Sequence, residues 1–279
     1  MLKILTLNLH GYQEIEFDKS KNAKHFFKNY EKIQKKITQF ILDEDIDIAV
    51  FQEAVQHKDM DVIEEKYGVK IREKNYIKVL RDLLLKDGKF YEYAWDWAHY
   101  GWNVWEEGLG ILSRYPIIDF KSKYVSKIQN VNSFNSRKLL KASINFNSQI
   151  IDVYIVHFNW PEEGFKNEYL ELVNWISSES INNFIIAGDF NVEAGSKVYE
   201  EFISIKVNNQ KLIDVFYEAN PNSLTEPTFR GDKFNKNARI DYILTSKHFK
   251  VLESQIVFKD DDKCGRVSDH MGVYAKLEI

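Results

Sequence analysis

Polar residues able to do chemistry sit just past the ends of apolar runs along this chain. Gly188-Asp189-Phe190-Asn191 follows the run Phe184 to Ala187. Glycine permits a sharp exit from a buried strand. Asp189 and Asn191 then present a carboxylate and an amide together. A carboxylate can orient or deprotonate a water, and an amide N–H can stabilise charge on a phosphoryl oxygen. An isolated Asp-x-Asn pair otherwise reads as an Asx turn.

Ser268-Asp269-His270 precedes an apolar run near the C-terminus. Its carboxylate can bind a hard metal and its imidazole can act on a phosphate oxygen. Asp241, in Arg239-Ile240-Asp241-Tyr242, offers that imidazole a buried acid that would fix its tautomer. A salt bridge with Arg239 is the competing reading, and strand alternation would place Arg239 and Asp241 on one face. Gln52-Glu53 follows the run Ile46 to Phe51. A carboxylate there is costly unless paired or metal-bound. Asn8 ends the first apolar run and can add an amide oxygen to such a site. His157 ends VYIVH; alone it reads as structural, as do His10, His57 and His99.

The elements that must position these groups are legible from periodicity. Leu2 to Leu9 reads as a strand, and Phe26 to Asp43 as a helix with Ile33, Ile37, Phe40 and Ile41 at helical spacing. Asn75 can cap a helix running to Leu85, which Gly88 can end. Gly108 to Leu112 reads as a strand, followed by a turn at Tyr115-Pro116. Leu139 to Phe146 and Ile150 to His157 read as a hairpin joined by Asn147-Ser148. Glu168 to Ile176 is helical. Phe184 to Ala187, Ile240 to Leu244, Glu253 to Phe258 and Gly272 to Leu277 are further strands. Strands and helices interleave without a Pro-, Gly- or Ser-rich linker or a repeat, so residues 1–279 are expected to form one α/β domain.

The formal charge is −4, from 38 basic and 42 acidic residues. That lacks the basic excess with which a duplex-gripping nuclease neutralises phosphates. One cysteine, Cys264, allows no internal disulfide. No apolar run approaches the ~20 residues of a membrane span, and the N-terminal residues do not pattern as a signal peptide. The expectation is a soluble, cytoplasmic protein with no membrane partner.

Taken in order, Asn8, Glu53, His157, Asp189, Asn191, Asp241, Asp269 and His270 make a constellation. The segments LTLNLH, FQEA, EGLGILSRYPI, VHFNW, IIAGDFN, RIDYIL and SDHMGV carry it from Leu5 to Val273. This set resembles the endonuclease–exonuclease–phosphatase superfamily, which includes deoxyribonuclease I, abasic-site endonucleases, inositol phosphatases and bacterial sphingomyelinases. The resemblance implies a four-layer α/β/β/α sandwich of two packed mixed sheets flanked by helices. It implies Mg²⁺ or Mn²⁺ held mainly by Glu53, with Asn8 and Asp269. Asp189 would activate water, and Asn191 would hold that water or a phosphoryl oxygen. His270, oriented by Asp241, and His157 would contact phosphate oxygens. Some family nucleases carry an acidic ligand two residues after the first Asn; here His10 stands there, which favours a single metal ion.

Tyr91 to Trp105 holds four of the six tryptophans. Aromatic faces stack on sugar rings, although at least half of these rings are expected to pack in the core. The segment's Gly101, Asn103, Glu106 and Glu107 surroundings make it too polar to be all core. WDWAHYGWNVWEEGLGILS, NSRK and HFNWPEEGFKNE resemble a narrower group, the bacterial maltose 6′-phosphate phosphatases. That resemblance implies a small phosphorylated partner, a sugar phosphate, contacted by Arg137 and by Trp102, Trp105 and Trp160. The alternatives are a phosphodiesterase acting on nucleic acid or a phospholipid headgroup, and a binding protein that keeps the fold without catalysis.

Overall fold

The computed structural model describes residues 1–12, 23–179, 182–231 and 237–279. Its elements in chain order are β1 (Leu2–Asn8), α1 (Ala23–Asp43), β2 (Ile48–His57), β3 (Val62–Lys66), β4 (Val69–Arg72), α2 (Tyr76–Lys86), β5 (Glu92–Gly101), β6 (Trp105–Ser113) and β7 (Ile117–Tyr124). There follow β8 (Lys138–Phe146), β9 (Gln149–His157), α3 (Phe165–Ser178), β10 (Phe184–Asp189), α4 (Lys197–Ser204), β11 (Ile213–Asp214), α5 (Val215–Ala219), β12 (Asp241–Thr245), β13 (Lys250–Val257) and β14 (Gly272–Glu278).

Two six-stranded sheets form, in the orders β13-β14-β1-β2-β6-β5 and β11-β12-β10-β9-β8-β7. Alternation along each strand feeds two cores. Leu2, Ile4, Ile48 and Val50 of the first sheet meet Ala142, Ile144, Val153, Ile155 and Ile185 of the second. Leu5, Leu7 and Phe51 point the other way, against Ile33, Ile37, Ile77 and Leu80 of α1 and α2. Tyr154, Val156 and Ile186 meet Leu172 and Ile176 of α3 and Phe202 of α4. Both faces of both sheets are covered, which is why the central strands read as almost unbroken apolar runs. The architecture is the four-layer α/β/β/α sandwich expected from the sequence. Among the described residues no helix is long and apolar enough to cross a membrane.

Register then sets the level at which the polar strand-end residues meet. β1 and β2 run parallel with Asn8 opposite Gln52. β9 and β10 run parallel with His157 opposite Asp189. β10 and β12 run antiparallel with Asp189 opposite Asp241. His157, Asp189 and Asp241 thus form one row across three neighbouring strands.

Several local expectations change. Tyr91 to Trp105, read as too polar to be all core and not assigned an element, is mostly strand β5 with a turn into β6, with Trp95 and Trp105 buried and Trp102 exposed. Its polar groups are satisfied internally: Asp96 pairs with Lys138 at 2.8 Å, and His99 with Glu107 at 3.2 Å. Glu53, expected just beyond its strand, lies inside β2, where the pairing with β6 is irregular between Phe51 and Ala54. The edge strand β7, the β3–β4 hairpin and the short helices α4 and α5 went unread. β7 mixes half-buried Phe120 and Tyr124 with exposed Lys121 and Lys123, a weak pattern suited to an edge.

Arg239 pairs with Asp214, not with Asp241. Its guanidinium donates to Asp214 Oδ1 at 3.1 Å and Oδ2 at 2.7 Å. Both residues are buried, and Arg239 also lies 4.6 Å from the Tyr242 ring centroid. This fork fixes the chain entering β12. Breaking one side of a buried pair leaves a buried charge unmatched, so Arg239→Met is expected to cost roughly 3–5 kcal/mol. Urea unfolding measures it; a midpoint at the wild-type value would show that the pair does not hold β12.

Candidate active site

The functional groups gather where the two sheets meet, at the C-terminal ends of β1, β9 and β10. Glu53 reaches the site through backbone distortion. Its φ is +47°, a left-handed value that turns its side chain out of the strand's alternation. Gly188, at φ +149°, makes the matching exit in β10; a Cβ there would overlap the Val156 carbonyl oxygen. Asn191, at φ +52°, completes that turn.

Asn8 joins the sheets. Its Nδ2 donates to Glu53 Oε1 at 3.0 Å and to Asp189 Oδ2 at 3.1 Å, while its Oδ1 accepts from the His10 amide at 3.0 Å. Two carboxylates on one side and an N–H on the other dictate that orientation. Asp189 Oδ1 accepts the Asn191 amide at 2.8 Å. Asn191 Nδ2 donates to the Phe158 carbonyl at 2.8 Å, which leaves it one further N–H. Asp189 is buried; desolvation and then the charge of Asp241 push its carboxyl up to about 7.

His270 Nδ1 lies 2.9 Å from Asp241 Oδ2, and its Nε2 lies 3.8 Å from Asp189 Oδ2. Burial opposes the imidazolium, but the charge and hydrogen bond of Asp241, helped by Asp189 and Asp269, outweigh it and raise His270 to about 10. The short segment Thr228-Phe229-Arg230 locks this arrangement. Thr228 Oγ1 donates to Asp241 Oδ2 at 2.6 Å and accepts the Asp241 amide at 3.1 Å. Buried Arg230 donates to the Ser268 carbonyl at 2.9 Å and the His270 carbonyl at 3.0 Å, and its own amide donates to the Asp269 carbonyl at 2.8 Å.

His157 completes the row. Its Nε2 lies 3.7 Å from Asp189 Oδ2, and its Nδ1 lies 3.4 Å from Arg137 Nη1. A guanidinium only donates, so Nδ1 accepts and Nε2 carries the hydrogen. Burial, then the charges of Arg137, His99 and His270, hold His157 well below its usual range, so it is neutral.

A cavity of about 590 Å³ opens over these groups. Glu53, His157, Asp189, Asn191, Asp269, His270, Arg137, Trp102 and Trp160 all line it. Asn8 and Asp241 stand behind that wall. Trp105 does not reach it: its ring packs in the core, 5.3 Å from Tyr12 and 6.1 Å from Phe27. Among the lining groups not expected in the site are three titratable ones, His10, His99 and Glu107. His10 pairs with Asp269 at 3.3 Å, and His99 pairs with Glu107. His10 had a signal, its place two residues after Asn8; His99 and Glu107 had none, because their strand positions alone do not reveal the cavity.

The donor set suits a hard divalent cation. Burial, then Glu107 and other charges, raise the Glu53 carboxyl above its usual range. Burial resists ionisation of Glu107 too, but the His99 hydrogen bond and charge hold its carboxyl low. Crowded carboxylates beside an amide oxygen with a second lone pair are what Mg²⁺ or Mn²⁺ relieves. Asp189, Asp241 and His270 also place ligand atoms within 4.8 Å of one another, although His270 and Asp241 already satisfy each other.

The sequence profile of the endonuclease/exonuclease/phosphatase family matches residues 5–270. The chain belongs to that family. Its members are metal-dependent phosphoester hydrolases. A family protein from Leptotrichia buccalis C-1013-b is 28% identical with a TM-score of 0.80, each chain covered in full. A mannosyl-6-phosphatase from Bacteroides thetaiotaomicron VPI-5482 shares the fold at TM-score 0.61 and 17% identity, again with both chains covered in full. D. rerio TDP2 complexed with single-strand DNA product shares it at TM-score 0.66 and 16% identity, covering 100% of this chain and 99% of that one. A search of curated proteins found no match.

Asp189→Ala and His270→Ala each remove an acid–base or electrostatic group from the wall of the cavity. Each is expected to lower kcat by at least ~100-fold on any phosphoester the wild type turns over. Steady-state kinetics on protein of unchanged thermal stability tests this, and near-wild-type turnover in either variant would exclude the group from the chemistry.

Proposed function

We propose that this family member is a phosphomonoesterase acting on a sugar phosphate. The observation that carries the reading is the shape and lining of the cavity: a cluster of phosphoester-type groups at its base and exposed aromatic rings at its mouth. Trp102 is 55% exposed, Trp160 40% and Phe134 68%, and all three line the same cavity. Large exposed rings gathered at a pocket mark a binding surface. Trp102 sits at the tip of the β5–β6 turn, with Trp102 at φ +53°, Asn103 at +61° and Val104 donating to the Gly101 carbonyl at 3.2 Å. A bulky residue in left-handed backbone is strained; contact with a ligand gives that strain a purpose. Asn103 and Asn132 lie beside the rings and offer amides to hydroxyl groups.

In this reading Glu53, Asp269 and the Asn8 oxygen would hold a divalent ion, which supplies charge neutralisation of the phosphate. Asp189, poised near neutrality, takes the proton of the attacking water. The new bond forms from that water oxygen to phosphorus as the bond from phosphorus to the sugar oxygen breaks. His270, kept cationic by Asp241, and neutral His157, through Nε2–H, donate to phosphoryl oxygens as their charge grows. Asn8 keeps Asp189 and Glu53 from drifting apart under mutual repulsion.

The nucleic-acid alternative draws on the fold shared with TDP2 and on the same rings, which can stack bases; against it stands the rest of the lining, whose carboxylates outnumber its one arginine. With Mg²⁺ or Mn²⁺, hexose and disaccharide 6-phosphates are expected to be hydrolysed, and duplex DNA and sphingomyelin to be spared; chelation by EDTA should abolish turnover. Trp102→Ala should raise KM for the preferred sugar phosphate about tenfold with kcat little changed. Turnover confined to DNA would defeat the sugar-phosphate reading while leaving the hydrolytic site standing.

A further inference from the structure

We propose that Arg137 is the residue that selects a terminal phosphate, the dianionic monoester, over an internal diester. The inference rests on the monoesterase reading and names the side chain that enforces it. Arg72, Arg81, Arg114, Arg230 and Arg239 each hold a carboxylate within ion-pair distance. Arg137 holds none among the described residues, although it lines the cavity. Glu107 and Glu168, which feel its charge, are engaged by His99 and by Asn159 instead. A half-buried guanidinium without an anion, facing a cavity, is a site for one.

Its orientation is built. Arg137 Nε donates to Asn159 Oδ1 at 3.0 Å. Buried Asn159 donates from Nδ2 to Glu168 Oε1 at 2.6 Å and to the Asn135 carbonyl at 2.9 Å, and from its backbone to Glu168 Oε2 at 2.8 Å. The Arg137 amide donates to Ser126 Oγ at 2.7 Å. Glu168, itself buried in the first turn of α3, thereby fixes Arg137 through Asn159. Of five guanidinium hydrogens, one is spent on Asn159 and one is directed at His157, so three remain.

A phosphomonoester carries nearly two negative charges at neutral pH, with its second pKa near 6. A diester carries one, and an alkyl group caps the oxygen that would bear the second. The metal-binding acids and His270 serve phosphoryl charge common to both substrates. Arg137, at the His157 wall, serves the extra charged oxygen that only the monoester has. A fixed fork does this better than a mobile ammonium.

The test compares p-nitrophenyl phosphate with bis(p-nitrophenyl) phosphate, with Mg²⁺ present. Wild type is expected to prefer the monoester; preference for the diester would defeat the monoesterase reading itself, and this inference with it. Arg137→Met should lower monoester kcat/KM by about 10- to 100-fold and diester kcat/KM by clearly less, since only the loss felt through His157 falls on both substrates; an unchanged thermal midpoint reports an intact fold. The inhibition constant for inorganic phosphate should rise in step. Arg137→Lys should recover part of the loss. Asn159→Ala, which frees the guanidinium without removing it, should shift the monoester-to-diester ratio in the same direction by less. Equal losses on both substrates would show that Arg137 acts only through His157, and an unchanged ratio would show that it selects nothing; either overturns the proposal.

Discussion

The bond on which the site depends is the clasp made by Asn8. The acids at the base of the cavity stand close together in a buried seam, where like charges repel strongly and water does little to screen them. One amide NH₂ donates to both Glu53 and Asp189, and so ties a carboxylate of the first sheet to one of the second. Without it, the sandwich would concentrate negative charge at its mouth with nothing to fix the spacing. Burial, and then the charges of Glu107 on Glu53 and of Asp241 on Asp189, raise both carboxyls, and a bound cation would relieve them.

Around the clasp, rigidity comes from residues that never face the cavity. Thr228 and Arg230 hold Asp241, Asp269 and His270 by their backbones as much as by their side chains. Arg239 and Asp214 pin the chain where β12 begins. Glu168 and Asn159 do the same for Arg137 on the opposite wall. Groups prepared in this way need little reorganisation when charge develops at phosphorus.

The base of the cavity and its mouth follow different rules. The base is built at strand ends, where hydrogen-bonded register leaves little freedom. The mouth is built on turns and loops that carry Trp102, Phe134 and Trp160. Such segments change readily without disturbing a sandwich core. One fold can therefore carry different mouths, and the mannosyl-6-phosphatase and TDP2 structures share that fold.

The sequence by itself determined the class of fold and most of the groups at the base of the cavity. Buried strands need apolar residues on both faces, and a polar residue ending such a run is conspicuous: Asn8, His157, Asp189 and Asp241 all betray themselves in this way. What one dimension could not show was which side chains cross from element to element. Arg239 reads as the neighbour of Asp241 by strand alternation, yet it lies before β12 begins, and its fork closes on Asp214 beside the Tyr242 ring. Trp102 and Trp105 are three positions apart, and only the turn between two strands sends one to the cavity mouth and the other into the core. The places of His99 and Glu107 in the cavity and the Glu168–Asn159–Arg137 relay became visible only in three dimensions, because distance through space, set by sheet register and loop closure, leaves no periodic trace along the chain.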